Sequence, residues 1–436
     1  MSLSTSSSDS FRSYSIKMLS AVACILLLVG VFNWLVNPLL RFTSPSIEGF
    51  NTYKTQLFPN LHTVIPYWAR SATPGTLILG SSRAGNGLDP AHPGFRNANV
   101  FNYAIPGVRI ETIGTIYAEM SKSTELESVL LTLDFFSFYV MPSLVEIRDA
   151  DMVSRFLQST EGGYNWNAHW LQIQDQITGL ISWQSTVNSY LTIRAQSAIA
   201  DGTAGTIDFY RDGHWRQTLP ANGNQLQHIR TIERQYMSIS WFPDPSKQFR
   251  FANSGRSAFD SYQDLLRQIH ADGVDASLVI SPLHARFQSA LTLVGLNDEF
   301  DMWKRQLLVI NMRVAEELQQ ASFPLWDFAD FGALNQEAIP TASAADERMW
   351  SYLDGQHYTA ELGNYLLDRV LDYHHPDRDD ANDFGTLLTG ENIDSHLQQV
   401  TFRQQIYANT HPGDMLDLRN SFERIQRINS DRGNAQ

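Results

Sequence analysis

An apolar run, Leu77-Ile78-Leu79, stops abruptly in Gly80-Ser81-Ser82-Arg83, and far along the chain stands Asp354-Gly355-Gln356-His357. A serine on a tight turn after a strand, with an acid and a histidine three residues apart, has the parts of nucleophilic acyl chemistry. His357 would accept the hydroxyl proton as general base, and Asp354 would hold the other ring nitrogen and fix the tautomer. Ser82 is the expected nucleophile, because the glycine-x-serine spacing turns it outward; Ser81 is its rival. The order Ser…Asp-x-x-His differs from the nucleophile-elbow order, in which acid and base lie apart.

Such a constellation needs a scaffold that brings two distant stretches to one edge. Short, nearly continuous apolar runs at Thr76–Gly80, Val100–Ala104, Ser128–Leu133, Ala276–Ser281 and Pro324–Phe328 read as strands buried on both faces. Helical stretches such as Arg109–Lys122, Phe259–Ala271 and Asp301–Gln320 alternate with them. That alternation predicts an α/β fold with a mostly parallel sheet, whose sites fall at the carboxyl ends of strands. The Asp-x-x-His turn is expected at the start of a helix running from Tyr358 to Leu371.

Other residues fall at the same strand ends. Gly107, in Asn102-Tyr103-Ala104-Ile105-Pro106-Gly107, could offer its N–H to an oxyanion, and Asn102 its side-chain amide; a plain Pro-Gly turn is the equal alternative. Asp134 follows the third strand and, being ionised, cannot donate, so it is expected to anchor a loop or an arginine. His284 either lines the substrate pocket or is structural. Arg83 and Arg109 bind an anionic or hydroxyl-rich substrate or pair with Asp134. Trp166, Trp170, Trp183 and Trp215 either stack on sugars or are core.

The 436 residues allow more than one module, and 43% apolar against 18% charged content excludes a disordered chain. A net charge of −14 with no basic stripe argues against a nucleic-acid partner. The single cysteine, Cys24, rules out an internal disulfide, and the scattered histidines argue against a metal site. No dinucleotide or P-loop motif is present, and the chemistry read here needs no cofactor. Residues 18–36 carry no charge and would span about 28 Å as a helix, close to the ~30 Å of a bilayer core. Arg12 and Lys17 before this segment, and the lack of a small-x-small site after it, predict an uncleaved anchor with a cytoplasmic N-terminus. The expected layout is a tail (1–17), a transmembrane helix (18–36) and a tether (37–72). An α/β domain carrying the site follows (73–141 and 253–375), interrupted by a helical cap insertion (142–252) and ended by a C-terminal appendage (376–436).

Together the Gly80-Ser81-Ser82-Arg83, Asn102–Gly107 and Asp354-Gly355-Gln356-His357 blocks resemble those of SGNH/GDSL-type hydrolases. The resemblance covers about 76–140 and 275–375. It implies a flavodoxin-like three-layer sandwich, a Ser82–His357–Asp354 triad and Gly107 as oxyanion donor. The family's Gly-x-Asn-Asp block is replaced by Leu133-Asp134-Phe135-Phe136, so Asn102 would substitute for its asparagine. The anchored layout is similar to bacterial envelope proteins that O-acylate polysaccharides. That likeness implies a periplasmic domain on a single-pass inner-membrane helix, a glycan substrate and a multi-pass membrane acyltransferase partner. The alternatives are a non-catalytic anchored scaffold in a polysaccharide assembly or export complex, and a lipid esterase at the bilayer surface.

Overall fold

All five apolar runs form strands, and they lie side by side in one sheet. The computed structural model describes residues 5–433 apart from 97, 140–143, 160–162, 222, 241–248, 252–253, 342–346 and 379–382. The chain begins with α1 (Thr5–Val36) and α2 (Ile65–Ala72), followed by β1 (Thr76–Gly80), α3 (Ser82–Gly87), β2 (Val100–Ala104), α4 (Ile110–Ser123) and β3 (Ser128–Leu133). Then come α5 (Phe135–Phe138), α6 (Leu144–Val153), α7 (Asn167–Ile181), α8 (Trp183–Ala200), β4 (Thr206–Phe209), β5 (Trp215–Thr218) and α9 (Gln225–Gln235). The chain continues with α10 (Ala258–Ala271), β6 (Asp275–Ile280), α11 (Ala285–Leu293), α12 (Asn297–Leu318), β7 (Leu325–Asp327) and α13 (Ala360–Val370). It closes with β8 (Thr386–Leu388), α14 (Ile393–Thr410) and α15 (Pro412–Gly433).

The main sheet runs β2-β1-β3-β6-β7-β8. Its first five strands are parallel, and β8 is antiparallel to β7. Strands β1 and β2 are buried at every position, as expected when helices cover both faces. Two close approaches fix α3 behind β1. A Cβ on Gly363 of α13 would lie 1.6 Å from the Gly87 carbonyl oxygen, and one on Gly85 would lie 2.1 Å from the Trp215 ring. Any larger side chain at either position would push α3, and Ser82 with it, off its support.

Four expectations are corrected. The helix after the Asp-x-x-His turn starts at Ala360, not Tyr358: the Thr359 side chain caps it by accepting from Leu362 N at 3.3 Å. The insertion is not wholly helical, since it contains the antiparallel β4–β5 hairpin. The C-terminal stretch is not an appendage, because β8 completes the sheet and His396 of α14 bonds Asp327 at 2.9 Å. The boundary at residue 17 between tail and transmembrane helix is absent among the described residues, because one helix runs from Thr5 to Val36. Within α1, Phe11–Val36 is apolar enough to cross a membrane.

Asp327, fully buried at the end of β7, accepts from Lys304 Nζ at 2.7 Å. Burial pushes its carboxyl up, but the Lys304 ammonium and the His396 ring outweigh this and hold it below the ordinary carboxylate range. A depressed acid contributes stability above its unfolded pKa and loses it as pH falls through the folded value. The urea midpoint of the detergent-solubilised chain should therefore drop below about pH 4. Asp327→Asn should flatten that drop while lowering the midpoint at pH 7; an unchanged acid limb would refute the assignment.

Candidate active site

Ser82 is the first residue of α3, directly after β1, and is partly exposed. Ser81 caps that helix: its Oγ accepts from Arg83 N at 3.3 Å and donates to Asp134 Oδ2. With Ser81 committed to the backbone and a buried carboxylate, Ser82 is the hydroxyl left facing the histidine. Its Oγ lies 2.9 Å from His357 Nε2. His357 Nδ1 lies 2.8 Å from Asp354 Oδ2, so the Nδ1-protonated tautomer donates to the carboxylate and presents Nε2 as a base.

The 354–357 turn is built for this arrangement. Asp354 Oδ1 accepts from Gln356 N at 2.8 Å and His357 N at 2.9 Å, which orients the carboxylate before the ring meets it. Leu353 N donates to His357 O at 2.9 Å and closes the turn. His284 N, just past β6, donates to Gly355 O at 3.0 Å and moors the turn to the carboxyl edge of the sheet. Burial pushes the Asp354 carboxyl up, but the His357 ring, His228 and the Gln356 N–H overcome it and hold Asp354 well below the usual range. Asp354 is therefore ionised where it meets the ring.

Arg83 is not a substrate ligand. It is buried; its Nη1 donates to Asp134 Oδ1 at 3.0 Å and its Nη2 to Gln356 Oε1 at 3.1 Å. It clamps the ends of β1 and β3 to the 354–357 turn. Asn102 is corrected likewise: its amide donates to Ala84 O at 2.9 Å and Leu88 O at 2.8 Å, so both N–H groups hold α3 rather than an oxyanion. His284 caps α11 by accepting from Arg286 N at 3.2 Å, and its Nε2 donates to Glu337 O at 2.8 Å. Burial pushes its pKa down to about 4, so it is a neutral structural ring rather than a pocket residue.

Gly107 lies exposed just beyond β2 with φ of 65°, in a loop whose Ile105 N bonds Gly80 O at 3.0 Å beside the nucleophile turn. Arg109 packs its guanidinium over Phe251 and lines a cavity of about 910 Å³ to which no triad residue contributes.

Two residues of the insertion reach the site without having been legible. Arg148 donates through Nη2 to Pro106 O, next to Gly107. His228 on α9 brings Nε2 to 3.5 Å from Asp354 Oδ2, giving the carboxylate a second imidazole. Among the described residues, Asp89, Asp212 and His214 group closely enough to hold a cation. Asp89 is already paired with Arg216 at 3.2 Å, and Asp212 with His214 at 2.6 Å.

No protein-family model and no curated protein matches this chain.

Proposed function

We propose that this chain is a membrane-anchored, extracytoplasmic serine acyltransferase or esterase of SGNH type that acts on a cell-envelope or secreted polysaccharide. The reading is carried by one observation: Ser82, His357 and Asp354 form a hydrogen-bonded series at the carboxyl edge of a parallel sheet. Ser82 Oγ attacks the acyl carbonyl while His357 Nε2 takes its proton. The C–O bond to the leaving alcohol breaks as His357 returns that proton. A sugar hydroxyl or water, deprotonated by the same nitrogen, then attacks the acyl-serine and frees Ser82. Backbone N–H groups of Ser82 and Gly107 are the proposed oxyanion donors. The order of the five parallel strands, 2-1-3-4-5 when counted by sequence among themselves, supports the flavodoxin-like assignment. Placing the domain in the periplasm and the acyl donor in a multi-pass membrane partner follows from Arg12 and Lys17 ahead of the apolar stretch 18–36 and from the family resemblance.

A non-catalytic scaffold is favoured by the end of β3, where Asp134 is tied to Arg83 and Ser81 instead of an amide donor facing the serine. A fluorophosphonate probe on the full-length chain in detergent separates the readings. Covalent labelling of wild type that disappears in Ser82→Ala is expected. No labelling of the wild type at any pH would favour the scaffold, and labelling that survives Ser82→Ala would refute the assigned nucleophile.

A further inference from the structure

The α7–α8 hairpin is built inside out. The buried face of α8 is polar, with Ser185, Asn188, Ser189, Thr192 and Gln196 at helical spacing. The outward side of the hairpin carries an apolar stripe, flanked by exposed His169, Gln174, Gln176 and Thr178: Trp166, Trp170, Ile173, Ile177 and Ile181 are exposed at intervals of four, three, four and four, and Trp183 at the corner is 80% exposed. In water the opposite distribution is expected. Between Asn167 and Ala200 the acidic and basic residues are Asp175, Arg194 and the exposed His169. Asp175 is buried and gripped by Arg155 at 2.7 and 3.2 Å, so the outward face offers no negative charge to repel anionic headgroups.

The hairpin packs on the last turns of the apolar helix α1. Asn33, an amide within that apolar stretch, has every polar atom satisfied by the hairpin. It donates to Leu180 O at 2.7 Å and Thr186 Oγ1 at 3.1 Å, and accepts from Ser189 Oγ at 2.8 Å. A Cβ on Gly30 would lie 3.9 Å from Ile181 Cγ2. Gly30 is six residues before the end of α1, roughly 9 Å along its axis. With the anchor leaving the bilayer near Val36, the corner would sit at the depth where interfacial helices bury their apolar faces, ~5–10 Å. Polar groups at the corner are also satisfied internally, as a non-aqueous setting requires. Ser182 Oγ accepts from Ser185 N at 3.1 Å, Ser185 Oγ donates to Gly179 O, and Thr186 Oγ1 donates to Ser182 O at 3.1 Å.

We propose that the α7–α8 hairpin is a second membrane element: its tryptophan-isoleucine face lies in the outer leaflet of the bilayer that α1 crosses. The proposal rests on α1 spanning that bilayer and not on the serine chemistry. Its test uses the full chain, one copy per nanodisc of phosphatidylcholine and phosphatidylglycerol, in a Cys24→Ser background. Nitroxides are attached singly to Ile177→Cys and Trp183→Cys. Leu27→Cys on α1 serves as the lipid reference and Gln405→Cys on α14 as the aqueous one. Labels at 177 and 183 are expected to be relaxed more strongly by oxygen than by a water-soluble nickel chelate, with the sign seen at 27 and opposite to that at 405. If 27 reports lipid while 177 and 183 match 405, the hairpin is not membrane-bound and the proposal falls with the anchor intact. If 27 also reports water, both fall. Labels at 177 and 183 immobilised and shielded from both relaxants would mean that protein covers this face, which likewise overturns it.

Discussion

Ser82→Ala is expected to lower the turnover of an activated acetate ester by about 10⁴- to 10⁶-fold while leaving the fold intact, because a triad acts as a unit. The bond recorded for the Ser82 hydroxyl is to His357, and the side chain is partly exposed, so its loss should cost no more than about 1 kcal/mol of stability. Asp354→Asn tests the same series from its other end. Two backbone N–H groups donate to the Oδ1 position and hold the amide oxygen there, so the NH2 faces Nδ1 and donates to it; the ring is held in the wrong tautomer and turnover should fall about 10⁴-fold. Initial rates and urea midpoints, measured together on the detergent-solubilised chain, separate chemistry from folding. A loss below tenfold in either variant, with the fold preserved, would mean that the reaction does not pass through these groups.

Arg83→Met is expected to destabilise the fold by about 3–5 kcal/mol, since it strands the buried Asp134 carboxylate with Ser81 as its remaining side-chain partner. The double variant Arg83→Met with Asp134→Leu should recover much of that loss, because the uncompensated charge is gone and two apolar groups replace the pair. Urea denaturation of the two single variants and the double gives the coupling directly. Were Arg83 a substrate ligand instead, Arg83→Met would raise KM and leave the urea midpoint in place. That result would reverse the assignment of Arg83 as a clamp.

The parallel strands were legible because each is an unbroken apolar run flanked by turn residues, which is the pattern of strands covered on both faces. Strand β8, Thr386-Leu387-Leu388, was not: three residues carry no periodicity, and only pairing with β7 makes them a strand. The meeting of Ser82, His357 and Asp354 was legible because the carboxylate and the imidazole share one turn and the serine follows a strand. The role of Asn102 was misread, and the choice between pocket and structural roles for His284 was left open, for one physical reason. Residue type shows what a group can donate, but the carbonyls that already take those protons belong to Ala84, Leu88 and Glu337, and their placement is tertiary. His228 lacked any sequence signal, since it reaches Asp354 from a helix of the insertion. The tryptophans fit neither expectation uniformly: Trp215 is core, stacked over Gly85, whereas Trp166, Trp170 and Trp183 face outward.

The end of α1 is capped by the segment that follows it: Asn51 Nδ2 donates to Leu35 O at 2.6 Å and Lys54 Nζ to Val36 O at 2.7 Å. Residues 37–72 are thus a rigid mount and not a leash. A domain held in this way keeps a set height and angle relative to α1; if the proposed glycan chemistry holds, polymer strands would have to be fed to it there. Clipping the protein at residue 37 to obtain a soluble fragment would also take Asn33 from the hairpin it holds and leave Trp170, Ile177, Ile181 and Trp183 facing water, so such a fragment should precipitate in detergent-free buffer where the intact chain in detergent does not.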